Sequence, residues 1–120
     1  MIYDDFVRKV NNESGHDCFI KSNESWNSFN DFYNHYNPKG AEFEFNYGVV
    51  YMVPFNMIQK VTSEYKYTNA DFVFGISDGD PYLVKDKKVY TCCHGTKTPE
   101  LEFVANSFEE FLEKVVKGVN

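Results

Sequence analysis

The chain has 120 residues, 18 of them Asp or Glu and 12 Lys or Arg, giving a formal charge of -6, with 18% aromatic residues and three cysteines. That length makes one domain, residues 1–120, able to bury a core without disulfide or metal staples. The charge opposes a nucleic-acid backbone and offers no basic stripe to grip one; no run of about 18 apolar residues marks a membrane span; and an odd cysteine count with two adjacent makes no disulfide framework.

The opening Met1-Ile2-Tyr3-Asp4-Asp5 is acidic where a signal peptide is basic, so a cytoplasmic location is expected. Tyr3, Phe6, Val7 and Val10 share one helical face, which predicts a short N-terminal helix ended by Asn11 to Gly15. His16 to Lys21 fits either a brief strand or a loop. Trp26, Phe29, Phe32, Tyr33 and Tyr36 line one side of a second helix, which Ser22 or Ser25 can cap and Asn37-Pro38-Lys39-Gly40 stops.

Phe43, Phe45 and Tyr47 alternate with Glu42, Glu44 and Asn46, the period of a strand with one wet face. Val49 to Val53 is apolar on both faces, which predicts a central or helix-covered strand. Phe55, Ile58, Val61 and Tyr65 suggest a short helix. Phe72 to Ile76 reads as a buried strand, Ser77 to Pro81 as a turn, and Tyr82 to Cys93 as a hairpin turning at Lys85-Asp86-Lys87-Lys88. Leu101 to Val104 suggests one more strand.

The last helix runs from Ser107 to Lys117. Phe108, Phe111, Leu112, Val115 and Val116 fall on a single stripe, Ser107 and Glu110 have the spacing of a capping box, and Gly118 stops the helix. Glu110 with Lys114 and Glu113 with Lys117 have the spacing of i, i+4 ion pairs. Helices first, strands in the middle and a helix last make an α+β fold, with an antiparallel or mixed sheet packed against N-terminal and C-terminal helices. Only three alanines are present, so phenylalanine and tyrosine must fill the core.

Candidate chemistry is sparse. His16, Asp17 and Cys18 with Cys92, Cys93 and His94 form the densest set of metal-ligand types, but the paired Cys-x-x-Cys spacing of structural zinc is absent, and neighbouring strand residues point to opposite faces. The bland reading makes one of Cys92 and Cys93 a buried small hydrophobe and leaves the other exposed. Cys18 or Cys93 with His35 or His94 is the nucleophile alternative, with nothing local to activate a thiolate. Ser77-Asp78-Gly79-Asp80 has the start of an acidic cation loop without its terminal bidentate Glu, and turn chemistry explains it better. No catalytic, cofactor-binding or metal-binding residue is assigned.

One longer pattern resembles a known family. Phe74-Gly75-Ile76-Ser77-Asp78-Gly79-Asp80-Pro81-Tyr82, then Lys88-Val89-Tyr90, then Asn106-Ser107-Phe108-Glu109-Glu110-Phe111-Leu112 is similar in order to the SUKH superfamily, which includes the yeast Smi/Knr cell-wall-assembly regulator and many bacterial immunity proteins. The aromatic helix ending near Asn37 to Gly40, where family members carry an Asn-Gly turn, matches in outline. The resemblance implies a single SUKH-like domain without catalysis or cofactor, a monomer or weak dimer, which binds and neutralises a cognate toxin, often a basic nuclease. The alternatives are a regulatory or scaffolding module with several partners, or a small thiol- or metal-dependent enzyme using Cys18, Cys92, Cys93 and His94. No family motif fixes the contact residues. Charge and the value of tyrosine at interfaces select Glu42, Glu44, Asp71, Asp78, Asp80 and Tyr82 as candidates.

Overall fold

A computed structural model describes residues 2–21, 30–95 and 100–118. The fold is α+β, with helices near both ends of the chain packed on one antiparallel sheet. In chain order the elements are α1 (Ile2–Ser14), β1 (Phe19–Lys21), α2 (Asp31–His35), β2 (Tyr36–Pro38), β3 (Glu42–Phe45), β4 (Gly48–Met52), α3 (Ile58–Glu64), β5 (Phe72–Ser77), β6 (Asp80–Lys85), β7 (Lys88–Thr91), β8 (Glu102–Ala105) and α4 (Phe108–Lys117). Short 3-10 turns, Phe55–Met57 and Lys66–Thr68, flank α3. Strands β3 to β8 follow one another across a six-stranded meander, and β1 pairs with β2 apart from it.

The inner face of the sheet is aromatic because the helices present aromatics to it. Phe111 of α4 is fully buried, with its ring centroid 6.0 Å from Phe43, 4.9 Å from Phe45, 5.2 Å from Phe74 and 5.8 Å from Tyr82. Phe6 of α1 meets Phe43 edge-on at 5.3 Å. Such edge-to-face pairs add about 0.5–1.5 kcal/mol each beyond burial. A bulge between Val73 and Gly75 keeps Phe74 on the helix side, against Phe108 and Phe111. Gly75 is required there, because a Cβ would lie 2.7 Å from Val50 Cγ1.

Two contacts tie α1 to α4. Lys9 Nζ donates to the carbonyls of Val115 and Val116 at 2.8 and 3.1 Å, closing the C-terminal end of α4 with a cation. The Tyr3 hydroxyl lies 3.0 Å from a Glu109 carboxylate oxygen and 3.1 Å from one of Asp31. Burial and these two anions hold its pKa well above the ordinary tyrosine value. On the other face α3 lies over β5, where Thr62 Oγ1 accepts the Val73 amide at 2.9 Å.

Several expectations change. The second helix contains only Asp31–His35 among the described residues, capped by Asn30, whose side chain accepts from the Phe32 and Tyr33 amides; Tyr36 is extended and opens β2. Ser22, Ser25, Trp26 and Phe29 lie outside the described residues. Tyr47 does not continue β3. Asn46 and Tyr47 form a two-residue turn with φ of +52° and +64°, since Phe45 already pairs with Gly48. β4 is internal in strand order, but Val49 and Tyr51 face solvent because the helix on their side, α3, lies over β5 and not over them.

At α4, Ser107 accepts the Glu110 amide as a cap should, while the Glu110 carboxylate takes the amide of Asn106, one residue earlier than a capping box places it. Glu110 and Lys114 do not serve each other, for Lys114 Nζ donates to the Val104 carbonyl at 2.8 Å.

Candidate functional site

The six candidate contact residues fall in three places. Asp78, Asp80 and Tyr82 border a recess of about 240 Å³ where the β3–β4 turn, the β5–β6 turn and the end of β7 converge; Glu102 completes its acidic lining. Asp78 and Gly79 are the two turn residues between Ser77 and Asp80, with φ of +49° and +85°. Asp80 Oδ1 accepts from the His94 amide at 2.9 Å and faces His94 Nδ1 at 2.7 Å, so its carboxylate is engaged by His94. The imidazole also packs on the turn, where a Cβ at Gly79 would come within 2.9 Å of it.

Tyr82 corrects the expectation of a surface tyrosine. It is 5% exposed, because its register partner is Gly75 and the space above that glycine admits its ring against Phe45 and Phe111. Burial raises the pKa of its hydroxyl, and the Asn46 side chain offsets part of that. Tyr82 is a wall of the recess rather than an exposed contact.

Asp71 stands apart. Its Oδ2 accepts the Asp86 amide at 3.0 Å, and its own amide donates to the Val84 carbonyl, so it braces the β6–β7 turn. That turn carries Lys85, Lys87 and Lys88. At about 3.3 Å per residue, the length of β6 puts it roughly 17 Å from Asp80. The recess is thus lined by acids and by no lysine or arginine, whereas the far turn mixes its three lysines with Asp71 and Asp86.

Glu42 and Glu44 are exposed on the outer side of β3, in register with Tyr51 and Val49 of β4. Tyr51 is 38% exposed, Val49 52% and Tyr47, at the tip of the turn, fully exposed. Residues 42–52 contain no Lys or Arg. Sequence reasoning missed Tyr47, Val49 and Tyr51. Asn46-Tyr47-Gly48 carried the signal for the first, since Asn followed closely by Gly marks a hairpin turn as readily as it continues a strand. The other two had none, since nothing local says which side of an apolar strand a helix will cover.

Two of the three thiols are enclosed. Cys18 Sγ lies 3.6 Å from His16 Nδ1 but is fully buried, which leaves no approach to the sulfur. Cys92 is buried and Cys93 exposed, as residues alternating past a strand end must be. Burial and, behind it, the Asp80 charge push the Cys92 thiol pKa up, away from a reactive thiolate. Among the described residues no group of three or more His, Cys, Asp and Glu is placed to hold a metal ion, and no helix is long and apolar enough to cross a membrane. Comparison with known protein families, with curated proteins and with solved structures finds no match for this chain.

Proposed function

We propose that this chain is a non-catalytic protein-binding module of the immunity type, which grips a basic toxin domain and blocks it. The observation that carries the reading is the acidic recess: Asp78, Asp80 and Glu102 gather around it with no lysine or arginine in its lining, and Lys85, Lys87 and Lys88 lie at the other end of β6 beside Asp71 and Asp86. Such a field steers a basic partner to one end of the molecule and raises the association rate more than it raises raw affinity. The SUKH-like order of strand, acidic glycine turn, hairpin and final helix supports the same class. The cytoplasm, where a delivered nuclease would act, is the proposed location.

Co-expression with the toxin domain encoded beside this chain's own gene tests the reading. Rescue of growth and co-purification of the two chains at 1:1 is the expected outcome. Failure to bind any toxin domain present in the locus overturns it.

A further inference from the structure

We infer that the outer face of the β3–β4 hairpin is the docking surface, and that its occupant is a lysine- or arginine-rich segment of a partner protein. The inference rests on the protein-binding reading and adds the surface and its chemistry.

The hairpin face is a checkerboard. Glu42 lies across from Tyr51 and Glu44 across from Val49, so each acid has an apolar or aromatic neighbour; the hairpin holds no cation, and Lys9 and Lys114, which border the same recess as Glu44, donate to the Val115, Val116 and Val104 carbonyls. A basic side chain fits both halves of that pattern, because its aliphatic stem covers Val49 or Tyr51 while its charged head reaches a carboxylate or the face of a tyrosine ring. A second copy fits badly, since a two-fold contact would set these same acids against themselves. Anionic lipid headgroups are repelled for the same reason.

Tyr47 points the same way. It holds a left-handed φ of +64° while its side chain is fully exposed, so an unfavourable backbone conformation is maintained with no packing in return. Asp78 and Asp80 are poorer anchors, because His94 already occupies the Asp80 carboxylate and Asp78 sits in a turn of its own.

The test is amide chemical-shift mapping on the full-length protein, titrated with a short synthetic peptide alternating arginine and valine. A glutamate–valine peptide serves as control, and the E42K/E44K, Tyr51→Ser and Glu113→Lys variants are titrated in parallel. Saturable shifts confined to residues 42–51, at least about tenfold weaker in E42K/E44K and in Tyr51→Ser and unchanged in Glu113→Lys, which alters an exposed acid of α4, are expected. Shifts centred on Asp78 and Glu102, equal binding of the acidic peptide, or no saturable binding overturns the proposal. All substitutions are at exposed or half-exposed positions, and the undisturbed remainder of each spectrum reports that the fold is intact. A toxin domain bound equally by E42K/E44K removes the surface and leaves the binding function, whereas hairpin binding of the peptide with no toxin bound removes the immunity role alone.

Discussion

Replacing Tyr47 with glycine should make the protein more stable and a worse binder. In the left-handed region a residue with a Cβ costs about 1–2 kcal/mol, and glycine returns about 0.5–1 kcal/mol of that through the greater freedom of its unfolded chain. Because the ring is fully exposed, no buried area is lost with it. The net expectation is a gain of about 0.5–1 kcal/mol, a rise in Tm of about 2–5 °C for a domain of this size. Asn46 before a glycine would also complete the Asn-Gly pair that two-residue hairpin turns favour. Urea unfolding followed by tryptophan fluorescence, with Tyr47→Phe as the control that keeps the strain, reads the difference. A loss of stability in Tyr47→Gly would refute the reasoning, for the ring would then be contributing to the fold.

Three further predictions test the scaffold. Phe111→Ala removes the ring on which Phe43, Phe45, Phe74 and Tyr82 converge and should cost about 3–5 kcal/mol in urea unfolding, against a total domain stability of about 5–15 kcal/mol. Lys9→Met keeps the stem and removes the cation from the Val115 and Val116 carbonyls, for an expected loss of about 1 kcal/mol and faster amide exchange in the last turn of α4. Tyr33→Phe removes the hydroxyl that donates to the Val53 carbonyl at 2.7 Å with both residues fully buried, an expected loss of about 1–3 kcal/mol at neutral pH. Burial, and behind it the Tyr51 charge, raises the folded-state pKa of Tyr33, so the wild-type advantage is whole below about pH 10 and declines as pH climbs toward the raised folded value; unfolding curves from pH 8 to 11 should show the gap closing.

Legibility in the sequence followed how local the determining physics is. The stripe of α4, the Ser107 cap and the two Asp-containing hairpin turns depend on residues within four positions of one another, and all three stand where the pattern puts them. The end of the second helix was misread because Tyr36 continues the helical spacing while β1, fifteen residues earlier at Lys21, supplies it with a strand partner. The same blindness hid the candidate surface. Val49 and Tyr51 read as interior because an apolar strand is usually covered on both sides, and only the placement of α3 over β5 leaves them in solvent. Asp71, Asp78 and Asp80 looked equivalent as acids. Hydrogen bonding assigns Asp71 to the Asp86 amide and Asp80 to His94, distinctions that charge counting could not make.

The central claim is that a wet, acidic and aromatic sheet face, rather than a reactive group, is the working part. Its most direct test is stopped-flow association of this chain with the basic toxin domain proposed as its partner, measured across ionic strength for the wild type and E42K/E44K. The account predicts an association rate that falls steeply with salt in the wild type and is slower, with a shallower salt dependence, in the variant. Equal rates with equal salt dependence for the two proteins would contradict it.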